Sequence, residues 1–274
     1  MAGREGRVTG IERIAEAFES ARANGRRAAF MPYMMGGFPD LDTSRRIGLA
    51  YADSGADLIE LGVPFSDPLA DGPVIHAAGT AALRNGINLY DVLEVGRAIA
   101  ERVPVVVMCY ANPIFARGLE RFADALLDAG ASGLIVPDLP LEEAPDVLAA
   151  CDERGLALVP LVAPTTPDER LARIGAQARG FLYTVSLTGT TGERSGLGDR
   201  MAGVVSRAAA CTQVPVAVGF GISTPEQAAA AAAAGADGVI VGSRLVRAAG
   251  EGEDPVAAVG ELVRELSTGL AIGL

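Results

Sequence analysis

Glu60, Asp67 and Asp71 crowd into one short stretch, DLIELGVPFSDPLADGP from Asp57 to Pro73. Glu60 interrupts an apolar run that reads as a strand, sharing one face with Leu58 while Ile59 and Leu61 take the other. A charge there is costly to bury unless it has a partner or a task. Glu60 is therefore either an acid-base group or half of an ion pair with a neighbouring arginine. Asp67 and Asp71 precede Pro and Gly, where aspartates ordinarily form turns or cap helices. Two further stretches suit an anion: VGFGISTPE from Val218 and VGSR from Val241. Each puts glycine where backbone must come close and Ser or Thr where a helix must start, so backbone N–H groups could hold a phosphate. A third, SLTGTTGERSGLGD from Ser186, reads as a lid over such a site or as a plain loop, and Gly192 within it could close the site from the other side.

The residue types that are missing narrow the chemistry further. All 23 basic residues are arginine. Without a lysine amine the chain cannot run a Schiff-base aldolase, anchor pyridoxal phosphate or build a P-loop. One histidine, His76, and three scattered cysteines, Cys109, Cys151 and Cys211, argue against a zinc site or a hydrolytic triad. Acid-base work is left mainly to carboxylates and tyrosines.

Eight short, nearly continuous apolar runs must position these groups: 28–34, 57–61, 104–110, 133–136, 157–162, 180–185, 215–219 and 238–241. Such runs suit parallel strands covered on both faces. Helix-forming segments follow them at 42–54, 89–102, 119–129, 141–154, 167–177, 200–210, 225–234 and 255–267. Eight strand–helix units in 274 residues predict an α/β fold, a single (β/α)8 barrel domain over 1–274. Two connections are long. The one after the second run holds an additional helix near 74–84, and the one after the sixth holds the Gly/Thr-rich stretch. Long connections on the C-terminal face of a barrel are where active sites are built. The segment 11–23 has helical periodicity and is expected to cap the barrel floor.

The string ELGVPFSDPLADGP at Glu60, with YANP at Tyr110, VPDLPLEE at Val136, LVAPTTPDER at Leu161, TGTTGERSG at Thr188 and VGFGIST at Val218, resembles the tryptophan synthase α subunit. The resemblance covers essentially the whole chain in order, apart from about ten residues at the N-terminus. It implies a TIM barrel that cleaves indole-3-glycerol phosphate to indole and glyceraldehyde 3-phosphate with no metal or organic cofactor in this subunit. By the same resemblance Glu60 matches the acid-base carboxylate, Asp71 the carboxylate that stabilises the cationic ring, and Tyr183 a tyrosine beside the substrate. Gly192, Gly221, Gly242 and Ser243 match phosphate contacts. Tyr33, Met108, Ile135, Val162, Phe220 and Ile240 would line the indole slot, with Asp138 and Thr191 close by. The implied partner is a pyridoxal phosphate β subunit in an αββα heterotetramer, and a lysine-free chain needs such a second polypeptide for complete tryptophan synthesis.

A net charge of −11 gives nucleic acid and anionic membranes nothing to bind. No stretch has the length or unbroken hydrophobicity of a membrane span or leader, so a soluble, cytoplasmic protein is expected. Other readings of the barrel are a ligand-sensing subunit with little chemistry of its own, and another phosphosugar isomerase or lyase. The second would share the anion loops but leave the Glu60 string unexplained.

Overall fold

The computed structural model describes residues 8–185, 197–219 and 221–272. Helix α1 (Gly10–Ala23) precedes β1 (Ala29–Met35), α2 (Leu41–Asp53) and β2 (Ile59–Gly62), and then α3 (Pro73–Arg84), α4 (Leu89–Ala100) and β3 (Val105–Met108). The chain continues through α5 (Ala111–Arg117), α6 (Leu119–Asp128), β4 (Gly133–Ile135), α7 (Pro145–Asp152), β5 (Ala157–Val159) and β6 (Leu161–Val162). It ends with α8 (Asp168–Gln177), β7 (Leu182–Val185), α9 (Leu197–Ala209), β8 (Val216–Gly219), α10 (Pro225–Ala233), β9 (Gly238–Val241), α11 (Ser243–Gly250) and α12 (Pro255–Thr268).

The strands form one parallel sheet in the order β5-β4-β3-β2-β1-β9-β8-β7-β6. Its two ends belong to a single run of chain. The predicted strand 157–162 is divided at Pro160, which has no N–H to give to a ladder. Below the proline β5 pairs with β4, and above it β6 pairs with β7. The carbonyl of Pro160 still accepts the N–H of Tyr183 at 3.0 Å, so the run links both neighbours and the sheet curls into a nearly closed barrel.

Side chains alternate across this wall as the pattern around Glu60 requires. Met31, Leu58, Val106, Ile135, Val159 and Ala217 pack inside the barrel. Phe30, Ile59, Leu61, Val105 and Val107 pack outward in the layer shared with the helices. Helix α1 caps the barrel floor as expected. Thr9 and Glu12 form a capping box at its start, and Ile14, Phe18 and Ala21 are buried. Phe18 joins the interior cluster, its ring 6.0 Å from that of Phe181. Gly238 makes room for it, since a Cβ there would lie 3.0 Å from the Phe18 ring and 2.7 Å from the sulfur of Met31. Arg13 ties the helix down by donating to the carbonyls of Ala100 and Gly130 at 2.6 and 3.1 Å. Phe18→Ala should therefore lower unfolding stability by about 3–5 kcal/mol in denaturant titration, as loss of a fully packed aromatic does.

Three local features depart from expectation. The predicted helix 141–154 starts as a 3-10 turn, Leu141–Glu143, and becomes α-helix only at Pro145, a residue suited to a first helical position. The third run stops pairing at Met108, and Tyr110 becomes the N-cap of the short helix α5. A second short helix, α11, begins immediately after β9. The extended connection after β2 is present and carries α3, whereas residues 186–196 lie outside the described residues.

Candidate active site

Strand β2 turns Glu60 into the barrel, directly opposite Tyr33 on β1 and Val106 on β3. The side chain is 2% exposed, and among the described residues no arginine pairs with it. No described arginine supports the ion-pair reading. Burial, with a smaller contribution from the negative charge of Asp71, pushes the Glu60 carboxyl up to about 8. Glu60 thus holds a proton at neutral pH, and its Oε2 has no hydrogen-bond partner among the described residues.

Asp71 approaches from the connection between β2 and α3. Its Oδ1 accepts a hydrogen bond from the Tyr110 hydroxyl at 2.9 Å, and that hydroxyl in turn accepts the N–H of Ala70 at 3.0 Å. Phe65 stacks on the Tyr110 ring with centroids 5.1 Å apart, so Tyr110 pins this connection at two points. Burial raises the Asp71 pKa, against the pull of the Tyr110 hydrogen bond and of the charge on His76 in α3. Asp67, by contrast, is exposed and accepts from the Ser66 hydroxyl at 2.6 Å, the turn chemistry its sequence suggests. Tyr110→Phe should leave the fold intact and lower turnover by about tenfold, the cost of losing one hydrogen bond to a charged group. Steady-state kinetics with a thermal melt would check this.

Both carboxylates line a cavity of about 260 Å³ at the C-terminal ends of the strands. Tyr33 and Tyr183 line it as well, and each lies over a glycine where a Cβ would collide with the hydroxyl: Gly62 at 2.2 Å for Tyr33 and Gly219 at 2.6 Å for Tyr183. Burial is the main cause that raises both phenols well above their ordinary pKa, so both stay protonated. Ile75, Met108, Leu161 and Ile240 supply apolar wall. Gly221, Gly242 and Ser243 line the cavity as well.

The two anion loops are not equivalent. Thr224 and Gln227 close a capping box on α10, and Gln227 Oε1 takes the N–H groups of Ser223 and Thr224 at 2.8 and 3.2 Å. Gly242 provides no side-chain cap for α11, leaving that helix start the better place for a phosphate. Arg244 is the only cation lining the cavity among the described residues. No group of three or more His, Cys, Asp and Glu side chains among the described residues is placed to hold a metal ion.

Of the expected site residues, Glu60, Asp71, Tyr183, Tyr33, Met108, Gly221, Ile240, Gly242 and Ser243 come together at the cavity. Ile135 is buried in the barrel interior and is absent from the cavity wall. Val162 faces the outer layer, and Leu161 takes the inner position instead. Counting by twos from inward-facing Ala157 and Val159 identifies Leu161. Asp138 also stands off the wall, accepting the Ala111 N–H at 2.9 Å near the start of α5. Thr191, Gly192 and Phe220 lie outside the described residues. Tyr110 and Ile75 were missed. Tyr110 carried a signal, being a polar aromatic at the C-terminal end of an apolar run.

A family model described as tryptophan synthase alpha chain matches residues 18–269. The tryptophan synthase alpha chain of Prochlorococcus marinus (strain MIT 9313) is 51% identical over 236 residues, 85% of this chain and 86% of that protein. That of Methanosarcina mazei is 46% identical over 258 residues, 94% of both. A Mycobacterium tuberculosis tryptophan synthase structure superposes with a TM-score of 0.88 at 43% identity, covering 95% of this chain and 99% of that one. A structure of the tryptophan synthase a2b2 complex from Pyrococcus furiosus gives 0.82 at 37% identity, covering 88% and 98%.

Proposed function

Since the chain belongs to the tryptophan synthase alpha chain family, we propose how its own residues carry the reaction of that family. The chain is a lyase of tryptophan biosynthesis that cleaves indole-3-glycerol phosphate to indole and glyceraldehyde 3-phosphate. It works as the α subunit beside a pyridoxal phosphate β subunit, which receives the indole in an αββα heterotetramer.

Cleaving a carbon–carbon bond without an amine makes the indole ring the electron sink. Glu60, protonated at neutral pH, gives its proton to C3 of the ring. Asp71 accepts a hydrogen bond from the ring N–H and stabilises the positive charge that spreads over the indolenine. Glu60, now a carboxylate, takes the proton of the side-chain hydroxyl next to the breaking bond. Indole leaves with its aromaticity restored, and the other fragment leaves as the aldehyde. Met108, Leu161 and Ile240 hold the ring, and Tyr183 stands beside it. Gly242 and Ser243 at the start of α11, with Gly221, receive the phosphate, and Arg244 adds a positive charge near it. By the family match, Phe220, Thr191 and Gly192 complete the slot and its phosphate side. We place the enzyme in the cytoplasm as a single barrel domain; no helix among the described residues is long and apolar enough to cross a membrane.

The observation that carries this assignment is one cavity lined by two carboxylates of which Glu60 is held protonated. An indole-release assay on indole-3-glycerol phosphate, comparing wild type with Glu60→Gln and Asp71→Asn, tests it. Full activity in either variant would remove that residue from the mechanism.

A further inference from the structure

Four buried side-chain oxygens among the described residues have no hydrogen-bond partner, and two of them face the same reaction: Tyr33 Oη and Glu60 Oε2. Their residues are register partners on adjacent strands, and both side chains line the cavity. The base of the Tyr33 ring lies beside Gly242, where an added Cβ would be 3.6 Å from Tyr33 Cβ and 3.7 Å from Cδ1. From there the ring crosses to β2, with its hydroxyl over Gly62, two residues beyond Glu60 and on the same face. Gly62 permits this placement, because any Cβ would sit 2.2 Å from the oxygen.

We propose that the Tyr33 hydroxyl is a positioning group for the proton shuttle, donating a hydrogen bond to the Glu60 carboxylate while Glu60 is without its proton. This rests on Glu60 being the acid of the reaction. A neutral carboxylic acid tolerates a buried site without donors, but a buried carboxylate does not. The other charged and titratable groups of the cavity are placed differently. Asp71, from the β2–α3 connection, is an anion already bonded to Tyr110, with His76 of α3 behind it. Tyr183 on β7 also feels the charge of Glu60, but its hydroxyl lies over Gly219 of β8 and is not among the unpartnered buried oxygens, and Arg244 follows Ser243 at the start of α11. Among the described residues, the Tyr33 hydroxyl is the cavity-lining donor left buried without a partner.

The proton count closes without Tyr33 losing its own hydrogen. Glu60 O–H gives its proton to ring carbon, and Tyr33 O–H turns to the carboxylate oxygen. When Glu60 takes the proton of the substrate hydroxyl, that hydrogen bond is released. The high pKa of the buried phenol keeps it a donor throughout.

Tyr33→Phe in the full chain, assayed with the β subunit present, tests this through the pH profile of kcat. Removing a donor from the anion makes Glu60 harder to ionise. The alkaline limb should therefore move up by about one pH unit, and kcat at pH 7 should fall by about tenfold while KM stays within about twofold. Tyr51→Phe removes another unpartnered buried hydroxyl, in the outer layer, and should move neither. A limb that stays in place overturns the inference, whether KM rises because the hydroxyl serves the substrate or nothing changes because only the ring matters. Glu60→Gln separates the two levels: if it is inactive while the Tyr33→Phe limb is unmoved, only this inference falls; if it is active, the acid assignment falls.

Discussion

Glu60→Gln should lower indole release by about 10³- to 10⁴-fold, the upper range for a general acid-base group, because Glu60 is used twice in each turnover. Glutamine keeps the shape and neutrality of the protonated acid but can neither give nor take the proton. The same substitution has a consequence for stability. The folded chain holds the Glu60 proton up to about 8, whereas an ordinary glutamate releases it near 4.5. Between those values the folded state binds the extra proton, so stability is fullest below the lower value and declines as pH rises towards the upper one. The slope is about 1.4 kcal/mol per pH unit where the difference is complete. Urea midpoints at pH 5 and pH 8 should therefore fall further in wild type than in Glu60→Gln. Equal losses in the two proteins would mean that Glu60 is not the buried proton holder, and an active variant would end its role as acid.

Asp71→Asn is the second large effect, a fall in kcat of about 10²- to 10³-fold with KM nearly unchanged. Asparagine can still accept the Tyr110 hydrogen bond and keeps the volume, so the connection after β2 stays pinned. What disappears is the negative charge opposite the cation that forms when the ring is protonated, and that cation exists only beyond the ground state. An interaction confined to the transition state shows in kcat rather than KM. A large rise in KM with kcat preserved would instead make Asp71 a substrate-binding residue. Asp71→Asn should also exceed Tyr110→Phe, which removes only the group that orients the carboxylate.

The barrel was legible because its strands are covered on both faces and so read as unbroken apolar runs, each followed by a helix with its own start and stop. The division at Pro160 followed from one residue that cannot donate to a ladder. Helices α5 and α11 were not legible, since each is short and lies directly against the end of a strand, where no apolar period has room to develop. Site residues divided in the same way. Glu60 stood out because a carboxylate inside an apolar strand needs a reason. Asp71 looked like a turn residue, and what sets it apart from Asp67 is a contact 39 positions away with Tyr110. Such a partnership has no trace in local spacing, so only the resemblance distinguished the two aspartates. Val162 was misplaced where strict alternation from Ala157 would have chosen Leu161.

The closure of the barrel floor by α1 makes the interior a blind cup. With Phe18 and Ile14 filling the lower end, nothing can drain through the axis, and both products share the upper rim with the incoming substrate. The order of departure is therefore decided at that rim. Met108 and Leu161 line the apolar part of that rim, and Gly242 and Ser243 line it at the start of α11.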